Sequence, residues 1–218
     1  MSSRVKMKDG QRTRRSERAE QTRRRIIDAA TALFHERGYA LTTIEAIAED
    51  ADVAIETVYS RFGNKANLLE AILEPAIVGA DDGRDIFDRP EIGQIRECRD
   101  QREQMRMLAH FSRAILERTF IAHGILRSAA SSDSNAAALQ RRDAKRRGDG
   151  QRVYIEMLLA NGPLRDGLTT EDAAATYSAL SNPNAYALLV VERGWTPDHF
   201  EQWLGESLTR LLLPDSPS

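Results

Sequence analysis

With 218 residues, 41% of them hydrophobic and 29% charged, the chain can bury a core and resembles neither a disordered nor a fibrous sequence. Its formal net charge of −2 excludes a uniformly basic nucleic-acid binder, and its lone cysteine, Cys98, excludes an intramolecular disulfide. No apolar run nears the ~18 residues of a membrane span, and the amino terminus lacks a signal peptide's apolar core, so a cytoplasmic chain without a membrane partner is expected. The charge is unevenly placed, however. Residues 1–25 hold ten Lys/Arg against three Asp/Glu, a surplus of seven that leaves −9 for the remainder. A basic end on an acidic body is the footprint of local contact with phosphate.

In chain order, residues 1–15 are polar, basic and aperiodic, and read as a flexible tail. A first helix is predicted from Ser16 or Glu20 to Arg37, with Ile26, Ile27, Ala30, Leu33 and Phe34 on its buried stripe. Gly38 fits its end, because glycine enters the left-handed conformation without strain. Thr42 and Glu45 have the spacing of a capping box for a second helix, whose face carries Ile44, Ile47, Ala48 and Ala51. Asp52 suits the tight turn that follows, since Asp tolerates left-handed backbone better than most residues. A third helix, about Ala54 to Phe62, is anchored by Val58. Two short helices and such a turn match a DNA-binding helix-turn-helix. Asn64 is placed to cap a fourth helix with Leu68, Leu69, Ile72, Leu73 and Ile77 on its apolar side.

At these residues the chain resembles the amino-terminal domain of TetR-type transcriptional repressors. The resemblance runs through Gly38-Tyr39, Thr42-Thr43-Ile44, Ile47-Ala48, Ala51-Asp52-Val53-Ala54, Tyr59, Phe62, Lys65 and Leu68-Leu69. It departs at Asp52, Ala54, Glu56 and Arg61, where Gly, Ser, Gly and His are common. The resemblance implies an all-α fold of about nine helices, operator DNA as partner, a homodimer, and a carboxy-terminal pocket for a small, largely apolar effector. The expected organisation is a tail over 1–15, a helix-turn-helix domain over 16–63, and an effector-binding and dimerisation domain over 64–218. Residues 64–79 form the connecting helix, read as the only rigid link between the two parts and so as the lever of any switch.

Beyond it, the Gly-, Asp- and Pro-rich stretch from Gly79 to Pro90 reads as a connector. Further helices are predicted from Pro90, over Asp100 to Arg118, over Phe120 to Ala130 with an interruption at Gly124, and from a Ser134 cap to about Ala160. In the last of these, the charged run from Arg141 to Arg152 reads as a solvated face. A helix from Thr170 to Gly194 is expected to bend at Pro183, which removes a backbone donor. A final helix opens at Thr196-Pro197, with proline at its favoured first position.

Site residues divide by chemistry. The third helix would enter the major groove, with Ala54, Ile55, Glu56 and Thr57 toward base edges. Ile55 suits a thymine methyl, Glu56 the cytosine amino group, and Thr57 a base or phosphate. Thr43, Tyr59, Arg61 and Lys65 suit phosphates. For an effector, Met105, Phe111, Met157 and Tyr186 would supply apolar lining. His123, Tyr154, Tyr177 and Asn182 would supply polar handles. For a dimer, Leu188 and Val191 would pair with Trp203, Leu204, Leu208 and Leu212 of the last helix.

No enzyme is expected: no triad motif, phosphate loop or zinc motif appears, and His35, His110, His123 and His199 are scattered, so no metal or cofactor is implied. The competing reading is a DNA-binding activator or architectural protein without an effector.

Overall fold

The computed structural model describes residues 3–78 and 86–215, with side-chain surroundings for 16–74 and 86–215. No strand occurs among the described residues, and no described helix is long and apolar enough to cross a membrane. The helices are α1 (Ser3–Arg37), α2 (Ile44–Asp50), α3 (Ile55–Phe62), α4 (Lys65–Val78), α5 (Pro90–Glu97), α6 (Gln101–Ala130), α7 (Ser134–Leu159), α8 (Thr170–Leu180), α9 (Pro183–Tyr186) and α10 (Pro197–Leu212). A 3-10 turn spans Ile86–Asp88, and α9 continues as a π-helix over Ala187–Glu192. Residues 79–85 of the expected connector, and the side chains of the basic tail and of Ile77, lie outside the described residues.

The chain divides into two compact units, residues 1–72 with 125–137 and residues 73–124 with 138–218. The first unit's core joins Ile26, Ala30, Leu33 and Phe34 of α1 to Ile47 and Ala48 of α2, with Val58 and Phe62 of α3 and Leu68 and Leu69 of α4. Ala48 is fully covered, as a residue at a close helix crossing must be. Positive φ falls at Gly38 (78°), Asp52 (49°) and Gly63 (77°), where the chain leaves α1, α2 and α3. Asp52 thus adopts the left-handed conformation its position calls for.

Two caps differ from the spacing-based expectation. Thr43, not Thr42, caps α2, its hydroxyl accepting from Ala46 N at 3.2 Å. Thr42 turns inward instead, its Oγ1 3.0 and 2.9 Å from the Leu33 and Gly38 carbonyls, closing the end of α1 against the loop. Asn64 caps α4 as expected, accepting from Asn67 N at 2.8 Å.

The second unit's core draws Met105, Leu108 and Phe111 from α6, Tyr154 and Leu158 from α7, Tyr177 from α8, and Phe200, Leu204, Leu208 and Leu212 from α10. Several expected boundaries shift. The α1 helix reaches back to Ser3, into the expected tail. Gly124 does not interrupt α6, because one glycine costs about 1 kcal/mol and a 30-residue helix absorbs it. Asp133, not Ser134, caps α7, accepting from Asn135 N at 2.8 Å. At Pro183 the helix breaks rather than bends: α8 stops at Leu180, Asn182 accepts from Asn184 N and Ala185 N, and Pro183 opens α9. There its missing N–H removes no helical bond.

The dimer expectation needs a larger correction. Leu204, Leu208 and Leu212 are fully buried within their own unit, so they build the monomer core and are not free to meet a second chain. Leu188 and Val191 are exposed, and so is Leu211 one position before the buried stripe's end. The connecting helix is also not the sole link, because the α6–α7 turn, residues 125–137, belongs to the first unit as well.

Candidate nucleic-acid interface and ligand cavity

The helix α3 is held from one side only. Val58 and Phe62, four residues apart, point into the first unit's core. Residues Ile55, Glu56 and Tyr59 therefore project away from it, with Ile55 38% and Tyr59 48% exposed. Ala54 and Arg61 are exposed and Thr57 is half-buried. Ala54 carries no side-chain acceptor for the first turn, so the amino end of α3 has no side-chain cap. An isoleucine and a tyrosine standing out on one helical face have no role in the core of the isolated chain. Thr43, exposed at the start of α2, has its hydroxyl occupied as the cap described above.

Lys65 is placed differently from its expected phosphate role. Its Nζ donates to the carbonyls of Tyr39 (2.8 Å) and Thr42 (2.9 Å) and sits 4.1 Å from the centre of the Tyr39 ring. Two of its three N–H bonds thus tie down the loop between α1 and α2, leaving one for any other partner. Burial lowers its pKa, and the charge of Asp133 opposes that shift. Tyr39 in turn donates its hydroxyl to Asp133 Oδ2 at 2.7 Å. Burial, then this bond, pushes the tyrosine's pKa far up, and the same bond, first among several causes, holds Asp133 below its ordinary value. Tyr39 thus joins the helix-turn-helix to the α6–α7 turn within one unit. No motif spacing announces that link, because 94 residues separate the partners.

The second unit holds a partly open cavity of about 220 Å³. Of the residues expected to line it, it brings together His123, Tyr154 and Tyr177. Met105, Phe111, Met157, Asn182 and Tyr186 lie elsewhere. Phe111 stands edge-on behind Tyr154 at 6.3 Å, Tyr186 packs on Phe120 and Phe200 at 5.4 and 5.1 Å, and Asn182 is the α9 cap. Met105 and Met157 are buried in the core. The walls are instead completed by Phe87, Ile115, Leu116 and Pro183, with Ser112, Thr119, Gln151, Ser181 and two arginines, Arg146 and Arg147, supplying polarity.

The polar groups are largely committed among themselves. Tyr177 donates to the Leu108 carbonyl at 3.3 Å and its oxygen meets Ser112 Oγ at 2.8 Å. Burial pushes its pKa far up, so it remains a phenol. His123 has Nδ1 2.9 Å from the Thr119 carbonyl and Nε2 3.1 Å from Asp143 Oδ2. Both partners are hydrogen-bond acceptors. Asp143, its side chain only 2% exposed, also meets Arg146 at 3.4 Å and Arg147 at 3.5 Å. Burial alone would raise its pKa, but the His123 bond and the three neighbouring positive charges outweigh burial and hold it below the usual carboxylate range. The run expected to be a solvated face therefore has one side turned inward around a buried carboxylate.

A helical chain whose first unit carries a helix-turn-helix, and whose second holds a partly open cavity, is as a class a helix-turn-helix protein with an added cavity. Comparison shows what it is similar to. Residues 26–72 match the family described as "Bacterial regulatory proteins, tetR family". Over 61 residues the chain is 46% identical to the HTH-type transcriptional regulator TtgR of Pseudomonas putida, covering 28% of this chain and 29% of that protein. Over 117 residues it is 31% identical to the HTH-type transcriptional repressor KstR of Rhodococcus jostii, covering 53% of this chain and 51% of that one. The matched stretch thus spans less than a third of TtgR and about half of KstR.

Among solved structures, NalD, the secondary repressor of the MexAB-OprM multidrug efflux pump in Pseudomonas aeruginosa, superposes with a TM-score of 0.68 at 26% identity. That match covers 92% of this chain and all of NalD. A SmeT–triclosan complex superposes at 0.67 with 22% identity, over 89% and 92% of the two chains. Over residues 26–72 the chain is thus similar to the TetR-type helix-turn-helix regulators, and its overall fold is that of NalD.

Proposed function

We propose that this protein is a sequence-specific DNA-binding transcriptional regulator, acting as a repressor that a small effector releases from its operator. The observation that carries the first half is the outward face of α3, where Ile55, Glu56 and Tyr59 stand free while Val58 and Phe62 fix the helix to its unit. A helix so held can lie in a major groove, with its first turn at the base edges. Ile55 then packs on a thymine methyl, Thr57 reaches base or phosphate, and Tyr59 and Arg61 reach the backbone. One such helix reads too few bases to be selective. The reading therefore includes a homodimer placing two copies of α3 about one helical turn, or a multiple, apart. The exposed Leu188, Val191 and Leu211, beside the half-buried Trp203, are the apolar surface this dimer would cover.

The release step is supported by the cavity, which a protein without an effector has no reason to keep lined by aromatic and polar groups. NalD is named a repressor and SmeT holds triclosan. That support favours an effector-released repressor over an activator or architectural protein. An effector shifts the equilibrium only by binding the operator-incompetent state better than the other.

Substitution tests the interface. Tyr59→Ala should weaken binding to every duplex by roughly ten- to a hundredfold, the scale of one lost hydrogen bond to a charged group of about 1.5–3 kcal/mol, with the salt slope unchanged because the phenol carries no charge. Ile55→Ala should instead change base preference at one position. Fluorescence anisotropy on a set of single-base operator variants separates the two effects. A Tyr59→Ala protein with changed base preference would remove tyrosine from the phosphate-contact group.

A further inference from the structure

The charged groups around the cavity are unequal in sign. Two guanidiniums, Arg146 and Arg147, line it, and no carboxylate does among the described residues. Asp143, the one acid tied to them, is recessed behind the lining with its side chain 2% exposed, so a ligand in the chamber meets the cations and not the acid. The arginines hold Asp143 loosely, at 3.4 and 3.5 Å, against about 2.7–2.9 Å for a tight charge-assisted bond. A second carboxylate presented from the chamber therefore finds donors that Asp143 leaves poorly matched. The guanidinium fork suits a planar carboxylate in particular.

The lining also carries apolar groups. Phe87, Leu116, Tyr154 and Pro183 are among them, with the Phe87 and Tyr154 rings 5.9 Å apart. The hydroxyl of Tyr177 donates to Leu108 and that of Thr119 to the Ile115 carbonyl at 2.9 Å, so neither has a donor left for a ligand's acceptor atoms. At about 220 Å³ the space is below the roughly 300–1,000 Å³ of drug-sized sites.

We propose that the cavity takes a small monocarboxylate, with its carboxylate on Arg146 and Arg147 and an unbranched or aromatic apolar body between Phe87, Leu116 and Tyr154. This assignment rests on the reading of the cavity as the effector site. With Asp143 taking one of the two guanidinium charges, one net positive charge remains, which a monoanion matches, a dianion exceeds and a cation meets as like charge.

The test is calorimetric titration of the full-length protein with matched pairs, octanoate against octanamide and 3-phenylpropanoate against its amide, together with the corresponding amines. The acids should bind at least tenfold tighter than their amides, with an affinity that falls as salt rises, and the amines should not bind. Whichever acid of the two pairs binds more tightly tells a flexible from an aromatic body. The double variant Arg146→Gln with Arg147→Gln should bring acid and amide to parity. Because those changes also disturb Asp143, Arg146→Lys with Arg147→Lys is the control; it keeps the charge and should retain a preference for the acid. Amides or amines that bind as well as the acids and release DNA would overturn the carboxylate assignment while leaving the effector reading standing. A protein that binds none of these compounds, and whose melting temperature no small molecule of any charge raises, would overturn both.

Discussion

Leu208→Ala is expected to destabilise the protein by about 2–5 kcal/mol, because it opens a cavity at a fully covered leucine of the second unit's core. For a chain of this size that is a loss of very roughly 5–20 °C in melting temperature. The paired change Leu208→Glu with Leu212→Glu would place two carboxylates among Phe200, Leu204 and Tyr186, and should abolish folding of that unit rather than yield folded monomers. Val191→Asp with Leu211→Asp is the contrasting variant. Those side chains are 59% and 48% exposed, so monomer stability should stay within about 0.5 kcal/mol while sedimentation velocity shows monomers where the wild type shows dimers. Folded monomers from the Leu208/Leu212 variant, or dimers from Val191/Leu211, would place the association surface elsewhere.

His123→Leu is expected to have an effect of similar size. It leaves the buried Asp143 carboxylate with only the two loose arginine contacts. Leaving a buried charged group short of a hydrogen-bond partner costs about 1–3 kcal/mol or more, and the remaining arginine contacts keep this case within that range. Asp143→Asn should cost less, since an amide still accepts a bond from the ring. The pH dependence follows from the lowered Asp143 pKa. A carboxyl whose pKa is lower folded than unfolded contributes stability that is full above its unfolded value, about 3.9. That contribution is lost as pH falls through the folded value. The melting-temperature gap between wild type and Asp143→Asn should thus hold across neutral pH and close below about pH 4. A gap that stayed constant down to acid pH would show that Asp143 contributes no charge-dependent stability.

The first unit was largely legible because its signals are local. Gly38, Asp52 and Asn64 each sit where a helix starts or stops, and the side chain or backbone freedom that acts there belongs to that residue. Thr196-Pro197 is legible for the same reason, Thr196 accepting from His199 N at 3.1 Å. The adjacent threonines mark the limit: spacing points to Thr42, and only the packing of α1 shows that its hydroxyl is taken by Leu33 and Gly38.

The second unit was legible as helices and much less so as a site. A stripe such as Leu204, Leu208 and Leu212 says that one face is covered, not whether the cover is the same chain or another. Methionine and aromatic residues likewise read alike whether they line a cavity, as Tyr154 does, or back it, as Phe111 does. Arg146 and Arg147 were hidden inside a charged run for a related reason. Asp143 lies three and four residues before them, an ordinary surface pairing in sequence, and its burial depends on His123 from another helix.

Selection from a random duplex pool by the purified, effector-free protein at low salt tests the central reading most directly. Enrichment of an inverted repeat, with half-sites about one helical turn or a multiple apart and with the preference at one position of each half-site relaxed in an Ile55→Ala protein, is the expected result. A pool that emerges with no sequence preference over competitor would mean that α3 does not read DNA, and the regulator reading would fall with it.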